Sequence, residues 1–138
     1  MHHTKDKGDL GVFKVMSRLS ELGYTILQPL TEHSAFDLVA YKDSDFYRVQ
    51  VKYRKKRDNG TVTVKLCTSW ADRHGNHERF YDMSEIDVFA VYCPDSDECY
   101  FINTAYLKGL HSFALRLDKP RNPVKSRIRF ARDYTSLQ

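Results

Sequence analysis

The chain has 138 residues, 41% of them hydrophobic and 29% charged, with a net charge of +4. That length suits one compact domain, residues 1–138, around a single core, and the composition excludes an intrinsically disordered chain. No run approaches the ~20 apolar residues of a membrane span, and no charged-then-apolar leader precedes a cleavage-like site, so no membrane partner is expected.

In chain order, Leu10 to Leu22 reads as an amphipathic helix with Val12, Phe13, Met16 and Leu19 along one stripe. Gly23 closes it, as a residue tolerant of left-handed geometry does. Asp9, at its start, is in register with Phe13 and Met16 and so leans toward the core side; a plain N-cap is the other reading. Tyr24 to Leu30 is an expected strand that ends near Pro29, and residues 31–34 form a loop.

Ala35 to Tyr41 and Phe46 to Lys52 are apolar, β-branched or aromatic runs separated by Lys42-Asp43-Ser44-Asp45, which is turn chemistry. A hairpin over that turn sets Tyr41 opposite Phe46 and Asp37 opposite Gln50, with Cβ atoms of opposed residues roughly 4.5–5.5 Å apart. Side chains alternate along a strand, so Gln50 and Lys52 share a face. An acid, an amide oxygen and an ammonium therefore converge on one patch.

A turn at Asp58-Asn59-Gly60 leads into the alternating strand Thr61 to Leu66. Thr68 to Asp82 is a polar, aromatic-spotted excursion, and such long segments without apolar periodicity are commonly functional or mobile. Ile86 to Cys93 reads as an interior strand. Pro94 to Asp97 turns into the strand Glu98 to Ile102, followed by a short helix around Thr104 to Leu110 and a strand around Ser112 to Leu117. The last twenty residues are basic and look loose until Ile128. Helix, several strands, short helix, strand argues for an α/β domain around a mixed sheet.

Cys67, Cys93 and Cys99 are odd in number and lack framework spacing, so a reducing, cytoplasmic location is expected. Lys52, Arg54, Lys55, Lys56 and Arg57 cluster, as do Lys119, Arg121, Lys125, Arg127, Arg129 and Arg132. Interleaved with Tyr53, Phe130 and Tyr134, they have the footprint of a nucleic-acid surface. Two solvated charge runs would look the same on charge alone.

Metal-assisted phosphodiester hydrolysis needs oxygen ligands for a hard cation such as Mg²⁺ and a charge beside the scissile phosphate. Asp37 offers a carboxylate, Gln50 a neutral amide oxygen and Val51 its backbone carbonyl, with Lys52 placed to act on water or phosphate. Taken singly, Asp37 is a strand-edge acid and Lys52 an exposed sheet residue; the cross-strand pairing is what joins them. Zinc at His74, His77, Cys93 and Cys99 is excluded by spacing, and nothing brings a cysteine to a histidine as a nucleophile pair.

Asp37 followed by Gln50-Val51-Lys52 resembles the D…(D/E)xK signature of the PD-(D/E)xK nuclease superfamily, with Gln in the middle acidic position. The chain is more specifically similar to the homing endonucleases of that superfamily carried by bacterial group I introns. The likeness rests on Lys7-Gly8-Asp9-Leu10-Gly11, Glu32-His33, Phe36 to Ala40, Tyr47 to Arg54, Ser69 to Gly75 and Glu85 to Asp95. It implies a restriction-endonuclease-like α/β fold, a mixed central β-sheet flanked by helices. It also implies a sequence-specific, Mg²⁺-dependent double-strand endonuclease (Mn²⁺ substituting), assembled as a homo-oligomer, dimer or tetramer, on double-stranded DNA. Asp37 would then be the central metal ligand, Gln50 the substituted second ligand and Lys52 the catalytic lysine. Relatives often add an acid from the first helix; Asp9 is the candidate here, while Val12 occupies a position where some of them place that acid. Gln50 leaves the site one charge short, so weaker metal affinity is expected.

Phosphate and base contacts need separate sources. Tyr53, Arg54, Lys55, Lys56 and Arg57 lie just beyond the catalytic strand, suited to the DNA backbone. Ser69, Trp70, Arg73, His74, His77 and Arg79 in the excursion suit base edges in the major groove. An ordinary surface loop with Trp70 anchored in the core is the alternative. Two rivals to the homing reading remain: a Holliday-junction resolvase, and a DNA-binding protein that kept the scaffold and lost catalysis.

Overall fold

The computed structural model describes residues 4–119 and 128–137. The basic stretch holding Arg121, Lys125 and Arg127 lies outside the described residues.

Thr4–Glu21 forms helix α1, six residues longer at its start than the apolar pattern indicates. Its first turns are polar, with Asp6 placed favourably at the positive end of the helix dipole, so they carry no periodicity to detect. The buried stripe is Gly11, Val15 and Leu19, with Val12 and Met16 packed at its margin, whereas Phe13 is 63% exposed. Gly11 accounts for the displaced stripe: a glycine reads as neutral in a hydrophobic pattern, yet here it is buried against the sheet. A Cβ at Gly11 would meet the Tyr53 Cβ at 3.5 Å and Val51 Cγ1 at 3.6 Å, ordinary van der Waals contacts that place this position on the sheet-facing side. Gly23 closes the helix at φ +90°, with Tyr24 N–H donating to the Leu19 carbonyl at 2.9 Å.

Thr25–Leu27 is β1, a short strand that stops two residues before Pro29. Leu38–Lys42 (β2) and Asp45–Tyr53 (β3) form the expected hairpin, with Tyr41 opposite Phe46. The turn is tighter than four residues. Asp43 and Ser44 alone form it, at φ +51° and +69°, the two left-handed positions of a type I′ turn whose twist suits paired strands. β3 runs parallel to Val88–Cys93 (β7), and β7 antiparallel to Glu98–Asn103 (β8). The mixed sheet thus has the order β1-β2-β3-β7-β8, counting strands in chain order.

Thr61–Lys65 (β4) pairs with Ser112–Arg116 (β9) as a second, two-stranded sheet. Cys67–Asp72 (β5) and Gly75–Phe80 (β6) pair as a third. Among the described residues α1 is the one α-helix, which corrects the expectation of a sheet flanked by helices. Its other face is covered by β4 and β9. The helix expected over 104–110 is a single 3-10 turn, Thr104–Leu107, which gives way before Gly109 at φ +76°.

Alternation along β3 and β7 divides the core in two. Val49, Val51, Val88, Ala90 and Tyr92 meet α1, while Phe89, Val91 and Cys93 meet the β4–β9 layer. Phe89 is fully buried in that second cluster, and a phenylalanine so placed stabilises a fold by roughly 1.5–3 kcal/mol. Gln50 and Lys52, on the face away from α1, point toward the same side as Phe89 and Val91, their neighbours in β7. The candidate patch therefore sits at the rim of the second core, with the helix behind it.

Candidate active site

β3 outruns β2 by four residues, Gln50 to Tyr53, because β2 begins at Leu38, opposite Val49. Beyond that point the β3 edge has no strand beside it. The Asp37 backbone N–H donates to the Val49 carbonyl at 2.9 Å, and its carboxylate Oδ2 accepts from the Val51 N–H at 2.8 Å. The side chain thus replaces the missing strand. N–H and C=O of one residue point to the same side of a strand, so the Val51 carbonyl faces this open edge together with Asp37.

The register that sets Leu38 opposite Val49 sets Asp37 at the level of Gln50, as the hairpin predicts. Asp37 and Gln50 line one cavity of about 630 Å³. His33, Ser34, Arg48, Arg79, Tyr81 and Asp82 are among its other walls. Burial raises the Asp37 carboxyl above its ordinary value, and the Val51 hydrogen bond and the charge of Lys52 oppose that rise only in part.

Lys52 is the second perturbed group. Burial, reinforced by the neighbouring Arg54, lowers its ammonium to about 8, against the pull of Asp37. Its Nζ donates to the Tyr81 hydroxyl at 2.5 Å and stands 4.6 Å from the centre of that ring. Tyr81, which sequence reasoning missed, is itself pushed up to about 12 by burial and by the charge of Asp37, so it stays a neutral phenol. No local signal links it to Lys52, since 29 residues separate the two. Arg54 lies two residues on, just past the end of β3, and burial lowers its guanidinium too. Two cations on one face beside a carboxylate make a site suited to a phosphate and a hard cation together.

The remaining expected residues divide. Asp9 is exposed on α1, which packs against the opposite face of the sheet, and it does not line the cavity. Its expected lean toward the core is corrected by the same rotation of the stripe that buries Gly11. Tyr53 also points to α1, against Gly11 and with its ring 5.8 Å from that of Tyr92, so it leaves the set expected to touch DNA. Lys55 and Arg57 are exposed; the Lys56 ammonium is bound to Asp118 at 3.2 Å and its backbone N–H donates to Asp95. Arg48 lines the cavity, but its guanidinium is held by both Asp87 oxygens, at 2.9 and 3.0 Å.

The polar excursion is a β-hairpin rather than a loop. Alternation puts Thr68, Trp70, Asp72, His77 and Arg79 on one face, and Ser69, Ala71, Glu78 and Phe80 on the other. Thr68 and Arg79 from the first face line the cavity, and so does Phe80 at the hairpin root, so the root of the hairpin borders the Asp37 site. Trp70 is not a core anchor. It is 48% exposed and stacked on His77, ring centres 5.3 Å apart, and His77 Nε2 lies 2.9 Å from Asp72 Oδ1. Arg73 and His74 form the exposed tip, where the His74 N–H donates to the same Asp72 oxygen. Ser69 faces away.

The donor set fits a hard divalent cation. One carboxylate has an oxygen not committed to Val51, an amide oxygen stands beside it, and a backbone carbonyl points to the same edge. Among the described residues no group of three acidic, histidine or cysteine side chains stands ready for a metal; the oxygens here include an amide and a backbone carbonyl.

Residues 2–137 match the family model described as PD-(D/E)XK endonuclease. No curated protein matches the chain. The solved structure of a bacterial homing endonuclease, I-Ssp6803I, is similar at a TM-score of 0.77, over 96% of this chain and 88% of that one, with 22% sequence identity. At that identity the likeness shows the fold, a restriction-endonuclease-like arrangement with a mixed sheet.

Proposed function

The chain belongs to the PD-(D/E)XK endonuclease family, and from that membership we propose that it is a sequence-specific, Mg²⁺-dependent homing endonuclease making double-strand breaks in DNA. The observation that carries this reading is that Asp37 and Gln50 line one cavity at the open end of β3, bordered by the root of the β5–β6 hairpin, with Lys52 close by. Lys52, on the same strand face as Gln50 and held by the cavity residue Tyr81, lies within electrostatic reach of Asp37.

Enzymes of this family generally use divalent metal ions. Here the carboxylate of Asp37, the amide oxygen of Gln50 and the carbonyl of Val51 would hold Mg²⁺. When bound, the ion polarises the scissile phosphate and makes a water more acidic. Lys52 is the catalytic lysine: near neutral pH it is mostly an ammonium, able to steady the charge that grows on the phosphate. Above about pH 8 its neutral amine can accept a proton from water. Arg54 binds the adjacent phosphate beside it. The Val51 N–H fixes the Asp37 carboxylate, so the acid is held in place before any ligand arrives.

A two-stranded ribbon has the width to enter the major groove. Trp70, Arg73, His74, His77 and Arg79 would read base edges from it, and Lys55 and Arg57 would hold backbone phosphates. Neutralising Lys55 and Arg57 together should flatten the slope of log K against log salt by about 0.9 per lost contact. An unchanged slope removes both from the interface.

Gln50→Glu should return a charge to the cation site and lower the half-saturating Mg²⁺ concentration for cleavage by about tenfold, a fraction of the direct Coulomb attraction. An unaltered metal titration excludes Gln50 from the ligand shell. Two active sites are needed for two strands, so a homo-oligomer, dimer or tetramer, is part of the proposal. Cys67, Cys93 and Cys99 are free and buried, and a cytoplasmic location is part of the proposal. Among the described residues no helix is long and apolar enough to cross a membrane.

The exposed hairpin favours duplex reading over junction resolution. Incubating the chain and Mg²⁺ with a randomised duplex library and with a synthetic four-way junction decides between them. Recurrent cutting at one duplex sequence supports the homing reading. Junction nicking regardless of sequence makes the protein a resolvase, and binding without cutting either leaves a DNA-binding scaffold.

A further inference from the structure

Lys52 is half-buried and has no carboxylate partner: among the described residues no ion pair joins it to Asp37, whose Oδ2 is engaged by Val51. What holds its ammonium is the phenolic oxygen of Tyr81, at 2.5 Å. The residue carrying that oxygen is held by its backbone, by its ring and through its chain neighbour. The Tyr81 backbone N–H donates to the Leu66 carbonyl at 3.1 Å, and Leu66 is fully within the second core. The ring meets Phe89 edge-on at 5.5 Å. Phe80, its chain neighbour, closes β6 opposite Cys67.

We propose that Tyr81 is a positioning residue for the cleavage reaction: its hydroxyl, anchored at the root of the β5–β6 hairpin, holds Lys52 Nζ at the active site and off the Asp37 carboxylate. This rests on the reading of Lys52 as the catalytic lysine.

The consequences are chemical as well as geometric. An ammonium that closed onto Asp37 would compete with a divalent cation for the free carboxylate oxygen. With Tyr81 as acceptor the lysine needs no anion, and Asp37 stays open for a cation. A neutral phenol suits the role, because a phenolate would bind the lysine as an ion pair and draw its charge away from the phosphate. The contact also ties the lysine to the element that projects toward DNA, since β6 runs directly into Tyr81.

Tyr81→Phe removes one oxygen and leaves the ring against Phe89. The single-turnover cleavage rate should fall about ten- to a hundredfold, the loss expected when a hydrogen bond to a charged group is removed. KM and metal-free duplex affinity should stay within about twofold. In a Lys52→Ala background the same change should cost nothing further, because a residue that acts through Lys52 has nothing left to position. A readout independent of activity accompanies these. In metal-free protein labelled with ¹⁵N-lysine, the Lys52 ammonium protons should be protected enough to be observed, and should vanish in Tyr81→Phe while the other resonances keep their positions.

A Tyr81→Phe rate within twofold of wild type, with Lys52→Ala still crippled, overturns the role of Tyr81 and leaves that of Lys52 standing. An equal loss in both backgrounds shows that Tyr81 does not act through the lysine and also overturns the proposal. Full activity of Lys52→Ala would remove the reading of Lys52 itself, and Tyr81's role with it.

Discussion

Lys52→Ala is expected to lower the single-turnover rate of duplex cleavage by a factor of ~10³, with duplex affinity changed less than about threefold. Several observations combine in that expectation. Lys52 shares the strand face that carries Gln50 and lies within electrostatic reach of Asp37, and its ammonium is held by one neutral acceptor. Burial brings it to about 8, the range where a group can both carry charge and exchange a proton at neutral pH. A truncated side chain leaves neither function, and the neighbouring Arg54 cannot substitute, because a guanidinium does not give up its proton. Affinity is spared because phosphate contacts elsewhere supply it. The Tyr81 hydroxyl, left without its donor, can take water in the open cavity. A mutant rate within about threefold of wild type would remove Lys52 from the chemistry.

Asp37→Asn should abolish cleavage to a similar extent and yet leave the metal-free protein at least as stable as wild type at neutral pH. An asparagine oxygen can still accept the Val51 N–H, so the lost property is the charge. In the folded chain burial raises the Asp37 carboxyl above its ordinary value. The folded state therefore binds more protons than the unfolded one between the ordinary carboxylate pKa and the raised one. Stability of the metal-free wild type falls as pH climbs through that window, and the cost persists above it. The neutral amide escapes the cost, so the two proteins should converge in thermal midpoint at acid pH and separate in favour of Asn at neutral pH. Adding Mg²⁺ should raise the midpoint of wild type by mass action and leave Asp37→Asn unmoved. Asp37→Ala, by contrast, deprives the Val51 N–H of its acceptor and should be destabilised by about 1–3 kcal/mol. A mutant that is inactive only because it unfolds would contradict this account.

The hairpin at the centre of the site was legible because two independent signals agreed on it. Turn chemistry at Asp43-Ser44 and alternation on both sides specify one register, and a slip by one residue would send Val49 and Val51 to the wrong face. The interior strand Val88–Cys93 was equally plain, being apolar on both faces. The β5–β6 hairpin was not, since residues from Thr68 to Phe80 are almost all solvent-facing and leave no apolar alternation to read. Phe13 and Gly11 show the converse failure. A large apolar side chain attracted the helix stripe, while a buried glycine leaves no mark in a hydrophobic pattern. Tyr53 was misassigned although period two already set it apart from Lys52, because the basic cluster around it outweighed the alternation. Tyr81 had no local signal at all: its contact with Lys52 exists only once the hairpin root packs against β7.

The central claim is that the open end of β3 is a metal-dependent cleavage centre for duplex DNA. Its most direct test maps strand ends produced from a randomised duplex library by wild-type protein and Asp37→Asn, each in Mg²⁺ and in EDTA. The account predicts paired ends at one recurrent sequence, present only with wild type and Mg²⁺. Ends that persist in EDTA, or with Asp37→Asn in Mg²⁺, would contradict it.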